Sequence, residues 1–156
     1  MPDYRGFMED YIRRSYTIGG SIILPKKEKG SDGKRLPSLN QRRGTLRDIN
    51  DRWDLTLECI RRYYIGESSP LSDVMEGDAW FFDKFIDFRG YVDFFFLQDC
   101  VLDDYSGVRL WYGEPGQEFK IDDLPKTVDE YMGWIKSQLF FVDRRNERIR
   151  RFLIHE

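Results

Sequence analysis

The strongest constraint on the fold is an apolar stripe at the C-terminal end of the chain. Its members are separated alternately by four and three residues, which is the spacing of one helix face. They are Val128, Met132, Ile135, Leu139, Val142, Asn146, Ile149 and Leu153. An unbroken helix over 127–154 is about 40 Å long, whereas a compact domain of this length is about 30–35 Å wide. The sequence therefore predicts a long C-terminal helix, part of which extends beyond a compact domain.

Two hypotheses follow for this helix. A single Asn in an apolar seam fixes the register of coiled coils, so Asn146 favours a homodimer formed through 127–154. The alternative is a long core helix of one chain whose basic end, DRRNERIRR, frays into solvent. The spacing alone is compatible with both.

The rest of the chain predicts an α+β fold in which helices dominate a small sheet. Amphipathic spacing indicates helices over 4–14 and 46–64. Strands are predicted over 18–25, 106–112 and 118–121, which gives a sheet of two or three strands. The basic segment 26–44 lacks periodicity and is predicted to be a long loop. No shift in composition marks a boundary, so we expect a single domain over 1–156.

The segment 90–102, GYVDFFFLQDCVL, is apolar on nearly every side and is compatible with a helix or a strand. A helix is favoured because β-branched residues are few. In either structure Asp93 and Asp99 lie among aromatic residues, where a carboxylate needs a cationic partner or its pKa rises. The candidate partners are Arg52, Arg89 and Arg109.

Composition excludes several classes of protein. Aromatic residues make up 16% of the chain and hydrophobic residues 40%, which excludes a disordered chain. The only histidine is His155, so Ser-His-Asp and Cys-His catalysis are excluded unless the C-terminal tail folds back. Zinc sites built from histidine and cysteine lack ligands, because the chain has only Cys59 and Cys100 besides.

Hydropathy and charge predict the cellular location of the protein and which classes of partner it has. No stretch approaches the roughly 18 apolar residues of a membrane span, and the first residues lack the apolar core of a secretory signal. We therefore expect a cytoplasmic protein with reduced thiols and no membrane partner. The net charge is −3 and the pI about 5.3, and the basic segment has no interleaved aromatic residues for stacking on bases. We do not expect a nucleic-acid partner.

The first candidate site binds an anion. Glycines let a ligand approach backbone N–H groups, and arginine offers paired hydrogen bonds to phosphate or carboxylate. Arg52 falls on the apolar side of the predicted helix 46–64, where a guanidinium needs an anionic partner. That partner is either a ligand or Asp48, one turn earlier. We predict a small phosphorylated or carboxylated ligand, without metal or cofactor, bound by Gly19, Gly20, Asn40, Gln41, Arg43 and Arg52.

The second candidate site is acidic. On the predicted helix 46–64, Asp51, Asp54 and Glu58 lie along one face, about one turn apart. Such carboxylates can hold Mg²⁺ or divide acid and base roles, which is typical of a metal-dependent hydrolase or transferase. Against this hypothesis, Arg61 and Arg62 follow Glu58 at the spacing of helical salt bridges. A solvated, salt-bridged face is the alternative.

Five segments of the sequence together carry a family resemblance. They are TIGG (17–20), LNQRRG (39–44), DRWDLTLECIRRYY (51–64), SPLSDV (69–74) and GYVDFFFLQDCV (90–101). Across about residues 17–145 the chain resembles an uncharacterised bacterial domain-of-unknown-function family. The resemblance implies a bacterial, soluble, single-domain protein and carries over no activity, cofactor or catalytic residue. The family more often has a small residue at the position of Arg42, so no shared role is implied for Arg42.

Overall fold

The computed structural model describes residues 4–26, 37–111 and 125–154. Its helices are α1 (Tyr4–Ser15), α2 (Leu39–Thr45), α3 (Trp53–Ile65), α4 (Ser72–Gly77), α5 (Ala79–Phe82), α6 (Phe88–Phe94) and α7 (Val128–Ile154). Short 3-10 turns are formed by Ile18–Gly20, Asp83–Phe85 and Gln98–Cys100. Within these residues the only β-type pairing is an isolated antiparallel bridge between Val101 and Val108.

The predicted α+β class is wrong, because the described residues contain no strand and hence no sheet. Of the three predicted strands, 18–25 forms a 3-10 turn followed by unpaired extended backbone, and 106–112 contributes only the bridge at Val108. The third, 118–121, lies outside the described residues. A segment becomes a strand only when a neighbouring segment takes up its backbone groups. Here the carbonyl groups of Ile18, Gly19 and Ser21 accept hydrogen bonds from the Arg145 side chain instead.

The predicted loop 26–44 and helix 46–64 both have different limits in the structure. α2 begins at Leu39 because Ser38 and Gln41 form a reciprocal capping box. The helix predicted from 46 begins only at Trp53, as α3. Asn50 and Asp51 have φ values of +48° and +61°, which interrupt a right-handed helix. The helical positions predicted over 46–52 are therefore wrong.

α3 is the central helix of the core. Seven consecutive residues, from Asp54 to Ile60, are buried, including two carboxylates. The helix ends at Gly66, whose φ of +74° is the left-handed conformation that glycine adopts at helix C-termini. Rings from α3, α5 and α6 pack beside it, with centroids 5.1 Å apart for Tyr63 and Phe82 and 4.8 Å for Tyr91 and Phe95. The aromatic residues thus provide much of the core area, as the composition suggests.

The ambiguous segment 90–102 is neither one helix nor one strand. α6 ends at Phe94, and Phe96 has a φ of +57° that separates it from the Gln98–Cys100 turn. Asp93 is partly exposed and accepts hydrogen bonds from Tyr105 Oη at 2.8 Å and Gln98 Nε2 at 3.0 Å. Of its predicted partners, Arg89 lies 3.6 Å away.

α7 packs its middle against the N-terminal part of the chain. Ile135 and Leu139 are buried, and Asn146 joins α7 to the segment before α2. Its Oδ1 accepts from the N–H of Gly19 at 2.7 Å, and its Nδ2 donates to Thr17 Oγ1 at 2.7 Å. Asn146 therefore makes its contacts within the chain rather than across a coiled-coil seam. Dimerisation through 127–154 stays a prediction.

The basic end of α7 is not frayed. Arg145 is only 8% exposed, and the helix continues to Ile154. Although α7 is long, it carries many charges, and none of the described helices has the length and apolar character to cross a membrane.

Replacing Gly19 by alanine should destabilise the fold by about 1–3 kcal/mol, the usual cost of overpacking. An added Cβ would collide with the backbone carbonyl oxygen of Val142 and lie 2.7 Å from Asn146 Cγ. Urea unfolding followed by circular dichroism measures the effect. Gly133→Ala is the matched control, because a Cβ there meets nothing within 4 Å and alanine stabilises a helix interior by about 0.5–1 kcal/mol. Equal effects of both substitutions would contradict this packing role.

Asp99 ties the Gln98–Cys100 turn to α7 through hydrogen bonds from Arg148 and Arg144. Burial raises the pKa of Asp99, but the hydrogen bonds and charges of the two arginines outweigh it, and the pKa lies below its ordinary value. A lowered folded-state pKa contributes stability above the unfolded pKa of about 3.9. That contribution is lost as the pH falls through the folded pKa.

We expect Asp99→Asn to lower the unfolding free energy at pH 7 and to reduce its loss between about pH 4 and pH 2. Urea midpoints measured across this range provide the test. Asp104→Asn is the comparison, because the pKa of Asp104 is also lowered, chiefly by hydrogen bonds from Ser106. It should also reduce the loss of stability in acid, but it breaks no ion pair with α7, so we expect a smaller cost at pH 7 than for Asp99→Asn. A wild-type pH profile in Asp99→Asn would contradict the role given to this carboxylate.

Candidate functional site

A cavity of about 440 Å³ lies between α7, the Ile18–Gly20 turn, α2 and the start of α3. Five of the six residues predicted for an anion site line it, namely Gly19, Gly20, Asn40, Arg43 and Arg52. The sixth, Gln41, is absent from the lining. Its side chain accepts from the N–H of Ser38 at 3.0 Å and so serves the start of α2.

The two glycines have a packing role in this arrangement. The N–H of Gly19 donates to Asn146 Oδ1, and the N–H of Gly20 donates to the carbonyl of Thr17 at 3.0 Å. A Cβ on Gly20 would collide with the backbone carbonyl of Ser15. Both backbone donors are thus used inside the chain, and the glycines allow the Ile18–Gly20 turn to lie directly against α1 and α7.

Arg43 connects α2 to the turn that precedes α3. Its Nε donates to Thr56 Oγ1 at 2.9 Å, and its terminal nitrogens donate to both the side chain and the backbone carbonyl of Asp51. Burial lowers the pKa of Arg43, against the opposing effect of Asp51, yet arginine stays protonated at any physiological pH. Its charge is balanced locally by Asp51.

Arg52 is buried in a two-point ion pair with Asp54. The Nη2–Oδ2 and Nε–Oδ1 distances are 2.6 and 3.1 Å, and the side chains are 3% and 1% exposed. The N–H of Trp111 also donates to Asp54 Oδ2, at 2.8 Å. The structural alternative predicted for Arg52 is therefore present, but its partner is Asp54 and not the exposed Asp48.

The predicted acidic face of Asp51, Asp54 and Glu58 does not form. Asp51 precedes α3, Asp54 is paired with Arg52, and the Glu58 carboxylate accepts from Arg61 at 2.8 Å and from Arg62 at 3.0 Å. Among the described residues, no three His, Cys, Asp or Glu side chains are grouped so that they could hold a metal ion. The alternative of a solvated, salt-bridged face is confirmed in the bridges from Arg61 and Arg62 to Glu58. It is wrong in its exposure, because Asp54 and Glu58 are buried.

Arg145 is the lining residue that sequence reasoning missed. Its Nε donates to the carbonyl of Phe95 at 2.8 Å, and its Nη1 donates to the carbonyls of Ile18, Gly19 and Ser21. In the described part of the chain, no carboxylate lies within 4 Å of this guanidinium and its Nη2 has no hydrogen-bond acceptor. Burial lowers the pKa of Arg145. The charge is therefore held by carbonyl dipoles alone.

The sequence did contain a signal for Arg145. It follows Val142 by three residues and precedes Ile149 by four, so it lies on the apolar face of α7. The same argument singled out Arg52. Arg145 was assigned instead to a basic end that was expected to fray.

Aromatic side chains form much of the remaining wall. Trp53, Trp111, Trp134 and Phe141 all line the cavity, and the ring centroids of Trp111 and Trp134 are 6.4 Å apart. The indole Nε1 of Trp134 is buried without a hydrogen-bond partner in the described structure. The wall beside Trp134 is therefore formed by apolar rings, and its indole N–H is itself buried.

Cys100 is the thiol of this lining. Burial raises its pKa to about 12, so the group remains a neutral thiol at physiological pH. A neutral thiol is a weak nucleophile. The cavity therefore lacks the activated cysteine that covalent catalysis requires.

Breaking the buried pair should cost far more stability than removing a surface charge. Asp54→Ala leaves Arg52 buried without its carboxylate, and we expect a loss of about 3–5 kcal/mol in unfolding free energy. Asp103→Ala serves as control, because it breaks an exposed pair with Arg109 and exposed pairs contribute little. Urea unfolding at pH 7 compares the two. Similar midpoints for both variants would show that the Arg52–Asp54 pair is not required for the fold.

Comparison with known proteins gives one match. A model of a family of unknown function, DUF6994, matches residues 3–149. No curated protein and no solved structure matches the chain. The match covers most of the chain and describes no activity, so any functional argument rests on the cavity itself.

Proposed function

The chain belongs to the DUF6994 family of unknown function, and we propose that it binds a small anionic ligand, phosphorylated or carboxylated, in the cavity beside α7. The observation that carries the proposal is Arg145, a buried cation at the cavity wall without a carboxylate partner in the described structure. A desolvated charge is costly unless an opposite charge pairs with it. An anion in the cavity would supply that charge.

The neighbouring arginines support this assignment through their pairing. Arg43 is balanced by Asp51 and Arg52 by Asp54, which leaves the charge of Arg145 for a ligand. Asn40 and Gln138 add polar groups to a lining rich in aromatic rings. A few polar groups in a mainly apolar cavity of this size are typical of small-molecule sites.

Binding without catalysis is the reading that the lining favours. The high pKa of the Cys100 thiol argues against a nucleophile. The carboxylates proposed for a metal-dependent hydrolase or transferase are engaged by arginines. We therefore retain the ligand-binding hypothesis over the hydrolase and over the dimeric interaction protein.

A cytoplasmic, bacterial setting belongs to the same proposal. Cys59 and Cys100 are both free and buried, which agrees with the reduced thiols of a cytoplasmic protein. An organic anion of metabolite size is an ordinary ligand in that compartment.

Isothermal titration calorimetry with 2-naphthylacetate and 2-naphthyl phosphate tests the proposal. These probes share one ring system and present the two anion types. We expect at least one to bind at pH 7.5 and Arg145→Lys to weaken that binding tenfold or more, which is about 1.4 kcal/mol. Lysine keeps the charge but loses the planar set of donors. Arg150→Ala is the control on the same helix, because Arg150 is exposed and pairs with Glu147.

A second measurement uses the wild-type protein, so its result does not depend on whether Arg145→Lys folds. Binding in this cavity should shift the indole N–H proton signal of Trp134 in NMR spectra and leave that of the exposed Trp80 unchanged. The proposal would be overturned if neither probe binds and neither acetate nor inorganic phosphate binds, or if binding leaves the Trp134 signal in place.

A further inference from the structure

The hydrogen-bonding capacity of Arg145 limits which anion the cavity accepts. Nε and Nη1 are already committed to the carbonyls of Phe95, Ile18, Gly19 and Ser21. Only the two N–H groups of Nη2 remain for a ligand. A phosphate monoester carries three terminal oxygens and about two charges, and two donors leave most of its acceptor positions unmet. A carboxylate has two oxygens and one charge, which these donors satisfy more fully.

The net charge of the cavity lining also favours a carboxylate over a phosphate monoester. Among the described residues that line the cavity, the charged side chains are Arg43, Asp51, Arg52 and Arg145. Asp51 balances Arg43, and the buried Asp54 balances Arg52. One positive charge is left, and a single negative charge neutralises it. A phosphate monoester at pH 7.5 would bring a second charge into a partly desolvated site, which is costly.

The position of the aromatic rings describes the rest of the ligand. Trp134 and Arg145 are eleven residues apart on α7, which is about three helical turns. Their Cα atoms therefore lie on the same face, roughly 16 Å apart along the axis, and both side chains reach the one cavity. The paired rings of Trp111 and Trp134 thus lie toward one end of the cavity and the guanidinium toward the other. An elongated molecule with a flat apolar body fits between them, because aromatic faces favour stacking on flat rings.

We infer that the ligand is an elongated aromatic monocarboxylate, with its carboxylate at Arg145 Nη2 and its flat body against Trp111 and Trp134. This assignment rests on the proposed anion-binding function and narrows it to one chemical class.

Calorimetry with three matched probes tests the class: 2-naphthylacetate, 2-naphthyl phosphate and the neutral 2-naphthylacetamide. At pH 7.5 we expect 2-naphthylacetate to bind at least tenfold more tightly than either of the others. It should also bind at least tenfold more tightly than acetate, which lacks the ring. The second proton of a phosphate monoester binds near pH 6, so the preference for carboxylate over phosphate should narrow at pH 5.5.

Two variants separate the head of the ligand from its body. Arg145→Lys should weaken the two anionic probes and leave the amide nearly unchanged. Trp134→Leu should weaken the binding of all three probes by a similar factor, because the naphthyl group of each probe contacts the ring that this substitution removes. Trp80→Leu is the matched control, since Trp80 is 56% exposed on α5 and does not line the cavity.

The outcomes distinguish this inference from the proposed function. If 2-naphthyl phosphate binds as tightly as 2-naphthylacetate or more tightly, the carboxylate class is wrong and anion binding stands. If acetate binds as tightly as 2-naphthylacetate, the inference that the ligand has an aromatic body is wrong. If neither anionic probe binds, nor acetate nor inorganic phosphate, both the inference and the proposed function fail.

Discussion

The guanidinium of Arg145 is the interaction on which the arrangement of the chain depends. It joins three parts that are far apart in sequence: α7, the turn that follows α1, and the end of α6. Its four acceptors are backbone carbonyls, and within the described residues only that of Ile18 also accepts a backbone hydrogen bond, from Ser21 within the turn. The Arg145 side chain thus satisfies carbonyl groups, including the buried contacts to Gly19 and Phe95, that would otherwise be costly to leave unpaired. Because a guanidinium rather than a neighbouring strand pairs with these carbonyls, a positive charge lies at the cavity wall.

A second buried polar group, the Arg52–Asp54 ion pair, also contributes to the cavity wall through Arg52. Arg52 and Asp54 pair at the start of α3, and Asp54 also accepts from the backbone of Trp111. A buried pair contributes little net stability by itself, because both charges lose their hydration. Its effect here is positional, since it connects the first turn of α3 to the segment that carries Trp111. Among the described residues the two buried arginines therefore differ in role: Arg52 is paired with a carboxylate, and Arg145 is not.

Local patterns predicted some elements and failed for others, for identifiable reasons. The helical spacing of 127–154 and of 4–14 corresponds to α7 and α1, because an apolar stripe depends only on neighbours within the helix. The start of α3 was placed too early, since nothing in its periodicity reveals that Asn50 and Asp51 adopt positive φ and that Arg43 holds Asp51. The expected strand at 18–25 had the composition of a strand but no neighbouring strand to pair with.

The candidate site shows the same division. Composition and spacing pointed to Arg43, Arg52, Asn40 and the two glycines, all of which line one cavity. Their hydrogen-bond partners could not be predicted from the sequence, because each partner is distant along the chain. Gly19 donates to Asn146, and Arg43 donates to Asp51 and Thr56.

The sequence by itself determined the family, the long C-terminal helix and the presence of arginines on apolar faces, because these depend on residue identity and short-range spacing. Only the tertiary structure decided which arginine keeps an unbalanced charge. Charge balance in a folded chain is a property of distances between remote residues. Arg52 finds a carboxylate two residues away, whereas within the described residues Arg145 contacts carbonyl oxygens brought to it from 18–21 and Phe95.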